Sequence, residues 1–286
     1  MNGTVVMEKV FKTFGWYDGG FPLDGVLRNW TFRQAYSILF QPLSLFDKQG
    51  FNLLDEKWDY AIVMDALRYD ITRGVRVEGE SFVRRRSPAS ATMEWVSRCI
   101  RHPRKDIVLV TANPYVSDIK IRELTGLHRP FHKNVAAWDI GWDTETRCTP
   151  PWRMLDISLK TLKKYPDKRM LFWFLQPHAP FLGFNPEGVE FTNELREGIM
   201  ENRKGLNVWR ALSASLIDRD KAWDAYNKNF RIALHGGVYE LLGHLEGDIL
   251  ITSDHGNCFG EMGIVAHPQR VHISPLVDVP YARVIR

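Results

Sequence analysis

The chain is predicted to be an α/β protein with a mostly parallel central sheet and helices on both faces. Three observations lead there. Short apolar segments that read as strands alternate with longer segments of helical periodicity. Two of the strand segments run directly into acidic residues at their carboxyl ends. No internal repeat or low-complexity linker divides the chain, and 286 residues with 44% hydrophobic content suffice for one large core. The expected organisation is a single domain over 1–286.

Residues 1–56 are aromatic-rich and include W-T-F-R-Q-A-Y-S-I-L-F at Trp30–Phe40, read as a helix in a segment that covers one side of the core. Strand candidates follow at 59–65 and 80–84, then a helix at 91–101. Strands at 106–111 and 134–138 precede a helix at 153–164 and a strand at 169–175. Helices at 206–217 and 220–245 lead to a last strand at 248–253. In the longest helix, Tyr226, Phe230, Ala233, Leu234, Val238, Leu241 and Leu242 recur at spacings of three and four, the pattern of a packing helix. Gly236-Gly237 marks a kink in it.

Composition narrows the class. A net charge of +4 permits anionic substrates without demanding them. Cys99, Cys148 and Cys258 are odd in number and lack CxxC spacing, which argues against a disulfide framework or a zinc-thiolate cluster and for a reducing, cytoplasmic setting. No run approaches eighteen apolar residues and M-N-G-T-V-V-M-E-K-V-F-K lacks a secretory apolar core, so an integral membrane protein is not expected.

The chemistry concentrates at two strand ends. Ile249, Leu250, Ile251 and Thr252 deliver Asp254 and His255 into a turn flanked by Gly256 and Gly260, glycines expected to keep side-chain bulk away from a bound ion. Tyr60 to Met64 end on Asp65 in the same way. Ligands of open α/β sheets collect outside the carboxyl edge of the strands, so these groups can share one cavity although roughly 190 residues separate them. Two carboxylates and an imidazole suit a divalent cation of borderline hardness.

Four blocks resemble the alkaline phosphatase superfamily, in particular its sulfatase-like and lipoteichoic-acid-synthase-like branch. They are V-M-D-A-L-R-Y-D around Asp65, S-P-A-S-A-T-M-E-W at Ser87–Trp95, F-L-Q-P-H-A-P-F at Phe174–Phe181, and T-S-D-H-G-N-C-F-G-E followed by A-H-P at Ala266–Pro268. The resemblance implies an alkaline-phosphatase-like fold, closed late by a strand beginning near Val279. It implies metal ligation by Asp65, Asp254 and His255 with a hydroxyl nucleophile, which places Thr92 at the start of a helix. Ser90 and Ser87 are competing hydroxyls, and helix capping is the alternative role for all three. Relatives carry Pro-Ser two and three residues after the nucleophile, where this chain has Glu94 and Trp95, so the register stays open.

The same resemblance makes His178 and His267 the remaining functional histidines. His178 would act on the substrate, and His267 would either donate to it or ligate a weaker second ion. His272 reads as structural. Arg68, and Arg86 from the run Arg84-Arg85-Arg86, are the candidate substrate-binding guanidiniums, although a basic run is more often a solvated edge.

The implied activity is a metal-dependent hydrolase or transferase of phosphate esters, whether monoester, diester or phospho-headgroup. One divalent ion is expected, Mn, Zn or Mg ahead of Ca. The substrate is an anionic phosphate or sulfate ester, glycan- or lipid-linked among the options. Nucleic acid is not expected, because basic residues outside 84–86 are dispersed. The alternatives are a sulfuric-ester hydrolase and a non-catalytic anion-binding relative. Sulfatases oxidise a cysteine in a C-x-P-S-R pattern, whereas position 92 is threonine, Cys99 lies in C-I-R-H-P and C-T-P-P-W-R at Cys148 comes too late.

Overall fold

The computed structural model describes residues 50–191 and 206–286. The expected helix at Trp30–Phe40 and most of the covering segment 1–56 lie outside them. The strands are β1 (Tyr60–Met64), β2 (Arg76–Val77), β3 (Glu80–Ser81), β4 (Val83–Arg86), β5 (Arg104–Thr111), β6 (Phe131–Ala136), β7 (Arg169–Phe174), β8 (Asp248–Thr252), β9 (Cys258–Phe259), β10 (Val265–Ala266) and β11 (Asp278–Ile285). The helices are α1 (Thr92–Cys99), α2 (Asp118–Thr125), α3 (Ala137–Ile140), α4 (Pro151–Lys164), α5 (Val208–Ser213), α6 (Arg219–Ala233), α7 (Tyr239–Leu242) and α8 (Ser274–Val277).

Seven strands form one sheet in the order β4-β11-β8-β1-β7-β5-β6. The pairs β8–β1, β1–β7, β7–β5 and β5–β6 are parallel, while β11 runs antiparallel to both β8 and β4. This is the expected mostly parallel sheet with helices on both faces.

Alternation along the central strands builds the two faces. Ile62, Met64, Val108, Val110, Met170, Phe172, Phe174, Ile249 and Ile251 join one core with residues of α4, α6 and α7. Ala61, Val63, Ile107, Leu109, Leu171, Trp173 and Leu250 join the other with Trp95 of α1 and Ile121 of α2. Each Val, Leu, Ile, Met or Phe side chain among these contributes about 1.5–3 kcal/mol relative to exposure. Leu53 and Leu54, from the described end of the covering segment, lie in the second core.

Several local readings change. The strand expected at 80–84 is a tight hairpin, β2–β3, followed by β4. The turn residues Glu78 and Gly79 both have positive φ, 52° and 84°, which suits a two-residue hairpin loop. Helix α2 was not anticipated, although Ser117 caps it by accepting from Lys120 N–H and Gly126 ends it at φ 75°.

The helix expected over 220–245 is continuous to Ala233, then widens into a π-helical turn at Leu234–Val238 before α7. The glycine pair thus marks a widened turn, and packing explains why Gly237 has no side chain. A Cβ on Gly237 would fall 2.8 Å from both Phe174 Cε1 and the Pro151 carbonyl oxygen. Among the described residues, no helix is long and apolar enough to cross a membrane.

Candidate active site

Four adjacent parallel strands, β8, β1, β7 and β5, point their carboxyl ends at one place. Asp254 and His255 follow β8, Asp65 follows β1, His178 follows β7, and Asn113 follows β5. The register pairs Val63 with Thr252 and Met64 with Phe174, so the residues leaving each strand emerge at one level.

Backbone bonds then fix the tips. Ala66 N–H donates to Asp254 Oδ1 at 3.0 Å, and Leu67 N–H donates to Ser253 Oγ at 2.8 Å. His178 N–H donates to the Asp65 carbonyl at 3.1 Å. The turn after Asp65, with Ala66 at φ 57°, is held by Tyr226. Its hydroxyl donates to the Ala66 carbonyl at 2.7 Å and accepts from Arg68 N–H at 2.9 Å. Asn229, one turn further along α6, accepts from Leu182 N–H at 3.1 Å and lies 3.2 Å from the carbonyls of Pro177 and His178.

Thr92 is the first residue of α1, preceded by Ala91, which provides no side-chain cap. Its hydroxyl donates to Asp254 Oδ2 at 2.8 Å, with His255 Nε2 at 3.2 Å. His255 Nδ1 donates to the Gly256 carbonyl at 2.8 Å, so Nε2 presents its lone pair to the Thr92 hydroxyl and the carboxylate. Asp65 Oδ2 accepts from Asn113 Nδ2 and, at 2.9 Å, from Trp173 Nε1. Asn113 Nδ2 also lies 3.4 Å from Thr92 Oγ1. The other Asp65 oxygen, Oδ1, is buried without a hydrogen-bond partner.

That orphaned oxygen decides whether a cation fits. A buried acceptor left unpaired is costly. Burial, and next the neighbouring Asp254 carboxylate, push the Asp65 carboxyl well above the ordinary range. A positive charge between them removes both penalties. Asp65, Asp254 and His255 each offer a ligand atom within 4.8 Å of the others, and among the described residues this is the one such group of three or more. The donor set of two carboxylates and one imidazole fits a divalent ion.

The other two histidines form a second pair beside the first group. His178 Nε2 and His267 Nε2 lie 3.0 Å apart, and the His267 ring sits 4.5 Å from that of His255. His178 Nδ1 donates to the Ala179 carbonyl at 2.6 Å, and burial pulls this imidazole down to about 4, so it is neutral at pH 7 with its lone pair on Nε2. His178 and His267 stand outside the carboxylate donor set. Trp209, Phe181 and Phe259 wall this side.

The three competing hydroxyls separate. Ser87 Oγ donates to the Asp254 carbonyl, and Ser90 Oγ lies 2.8 Å from the Pro268 carbonyl and 3.0 Å from Glu94 Oε2. Thr92 alone of the three touches Asp254 and His255 through side chains.

The candidate substrate-binding arginines are engaged by other groups of the protein. Arg68 is buried, with its guanidinium on both Asp70 oxygens, Glu261 and the Asn257 carbonyl, and its face 4.7 Å above Trp223. Four hydrogen bonds to these groups hold the turn. Arg86 ends the outermost strand and donates to the His272 carbonyl at 3.3 Å. Arg84 reaches Asp278 at 3.3 Å, and Arg85 lies 5.0 Å over the Tyr281 ring. The triple-arginine run is thus the edge of the sheet.

Gly256 also has a different reason from the expected one. A Cβ there would fall 2.1 Å from the Pro275 carbonyl oxygen, so the residue is small for packing against α8.

Asn113, Trp173 and Asn229 carry roles not expected from the sequence, as do Tyr226, expected only as a packing residue, and Glu94, expected only as a departure from the family pattern. Asn113 was within reach, since T-A-N-P follows a predicted strand just as Asp65 does.

No family model matches the chain, and no curated protein matches it in sequence. Solved structures do match in shape. The C-terminal periplasmic domain of EcEptC from Escherichia coli, a complex with Zn, aligns with TM-score 0.51 and 11% identity over 79% of this chain and 72% of that one. The chain has the alkaline-phosphatase-like fold. The soluble domain of lipooligosaccharide phosphoethanolamine transferase A from Neisseria meningitidis aligns with TM-score 0.49 and 12% identity over 78% of this chain and 75% of that one. Lipoteichoic acid synthase LtaP from Listeria monocytogenes gives 0.47 and 8% over 86% and 71%.

Proposed function

We propose that the protein is a metal-dependent phosphoesterase or phosphotransferase in which Thr92 is the nucleophile. The observation that carries this reading is the position of Thr92 Oγ1, 2.8 Å from Asp254 Oδ2 and 3.2 Å from His255 Nε2, at the start of a helix and opposite a buried carboxylate with an unpaired oxygen. A hydroxyl so placed has a proton acceptor in contact and a helix N-terminus, which favours negative charge, beside it.

Asp65, Asp254 and His255 would hold the ion, which would lower the pKa of the Thr92 hydroxyl and offset charge on the phosphoryl oxygens. Thr92 gives its proton to the Asp254 carboxylate it contacts as Oγ1 bonds to phosphorus. The ester P–O bond breaks, and the leaving oxygen departs with the electron pair. His267, close to both the His255 ring and His178, is placed to give the leaving oxygen a proton, while neutral His178 orients it through Nε2. Water or an acceptor alcohol then displaces Thr92 from phosphorus, its proton passing to His267 while Thr92 Oγ1 recovers its own from Asp254, and the choice of acceptor selects hydrolysis or transfer. Zinc is the ion we favour, supported by the donor set and by the zinc complex of the Escherichia coli domain.

A sulfate ester is the second reading, and Thr92 speaks against it because no cysteine stands at that position for oxidation. We also propose a cytoplasmic location, supported by three free, buried cysteines. The testing experiment is metal analysis of the purified protein together with turnover of p-nitrophenyl phosphate, bis(p-nitrophenyl) phosphate and p-nitrophenyl sulfate under added Zn, Mn or Mg. Phosphoester turnover that disappears on chelation supports the proposal. Absence of metal and of turnover with every ion contradicts it.

A further inference from the structure

We infer that Glu94 is a positioning residue: it locks the helix that carries Thr92 to the loop that carries His267, and so sets where that imidazole stands relative to the attacking hydroxyl. The inference rests on the reading of Thr92 and His267 given above. Glu94 is 5% exposed, two residues into the helix that Thr92 begins.

Its Oε2 accepts from Ser90 N–H at 3.1 Å and from Arg270 N–H at 2.9 Å. Its Oε1 lies 3.1 Å from His272 Nε2 and 2.8 Å from the Arg98 guanidinium. The bond to Ser90 is the kind a carboxylate makes at a helix start, reaching back to an exposed N–H. The bonds to Arg270 and His272 cross 176 and 178 residues of sequence and have no capping purpose.

Ser90 completes the lock. Its hydroxyl lies 2.8 Å from the Pro268 carbonyl and accepts from Val271 N–H at 3.2 Å. Ser90 and Glu94 together therefore hold Pro268, Arg270, Val271 and His272, four of the five residues that directly follow His267. The His267 ring in turn meets His178 at 3.0 Å and stacks near His255 at 4.5 Å between centroids. The preceding residue, Ala266, is at φ 65°, an uncommon conformation for alanine that needs the loop to be held on its far side. Glu94 touches neither the carboxylate group nor the histidine pair, so its effect on chemistry passes through the loop of His267 or through the helix of Thr92, and coupling to His267 is what separates the two.

The test is a double-mutant cycle on the zinc-loaded full chain, with bis(p-nitrophenyl) phosphate as the probe. Glu94→Ala is expected to lower kcat about 10- to 100-fold while bound zinc is unchanged, the scale of a catalytic group displaced by an ångström or so. Glu94→Gln, which keeps an acceptor at the same place, is expected to recover most of that loss. In a His267→Ala background, Glu94→Ala is expected to cost less than about threefold, because the group it positions is gone.

Losses that multiply in the double variant would overturn the inference, as would zinc loss in Glu94→Gln. Should Glu94→Ala not fold, His272→Ala, which removes one bond of the lock, enters the same cycle with the same expected non-additivity. A wild-type protein without metal or turnover would overturn the reading of the active site itself, an outcome visible before any variant is made.

Discussion

Two buried carboxylates stand on either side of Thr92 and are treated in opposite ways. Asp65 faces another carboxylate, keeps one oxygen unpaired and is pushed well above the ordinary carboxylate range by burial and then by Asp254. Glu94 is also buried, yet bonds from His272, Arg270 N–H and Ser90 N–H outweigh its burial and bring it down to about 2. The contrast separates a seat for a ligand from a structural brace. A carboxylate whose hydrogen bonds are all made is holding the fold, and one left short at a convergent strand edge is waiting for charge.

The largest effect expected from this comparison is at the nucleophile between the two. Thr92→Ala should lower turnover on the order of 10³-fold or more while retaining bound metal, measured by steady-state kinetics and elemental analysis. Asp254→Ala should lose the metal itself, and an unchanged metal content would break the distinction between seat and brace.

Next come the donors that orient Asp65. Trp173→Phe removes the 2.9 Å bond to Oδ2 and should weaken metal affinity about 10- to 100-fold in a chelator competition, as loss of a ligand's supporting partner does.

A sharper version turns on sign. Asp65→Asn should raise the thermal stability of the metal-free protein by about 1 kcal/mol, because a repelled, unpaired charge is removed, whereas Glu94→Gln should lower it by roughly 1–3 kcal/mol. Equal signs would contradict the contrast.

The pH dependences differ likewise. The stabilisation from Glu94, whose neighbours include His272 and Arg98, is complete above the ordinary 4.5 and lost as pH falls toward about 2. Glu94→Gln should therefore flatten the acid limb of a melting-temperature profile. Asp65 has a raised value, so its contribution is present at low pH and lost as pH rises through that value. Added zinc should accordingly raise the melting temperature more at neutral than at acid pH. The smallest effects belong to the sheet edge, where Arg84→Ala should change stability by less than about 0.5 kcal/mol and leave turnover intact.

Much of this was legible in the sequence. Strands that deliver Asp65 and Asp254-His255 are apolar runs ended by acidic residues, and parallel order brings their carboxyl ends together whatever lies between them. The alternation of strands and helices likewise sufficed for the sheet class. What could not be read depends on long-range hydrogen bonding. Nothing in S-A-T-M-E-W distinguishes Thr92 from Ser90 until Ser90 is seen facing Pro268 and Glu94. Arg68 stands in the sequence as a candidate substrate group, and only the fold shows that Asp70 and Glu261 pair with it. Tyr226 follows the apolar stripe of its helix, and only the fold shows its hydroxyl closing the turn beside Asp65.

The most direct measurement is peptide mapping by mass spectrometry of zinc-loaded protein quenched with acid during turnover of p-nitrophenyl phosphate. The account predicts the added mass of one phosphoryl group on Thr92, absent from Thr92→Ala. A modified Ser90, or full turnover with an unmodified Thr92 and an active Thr92→Ala variant, would contradict it.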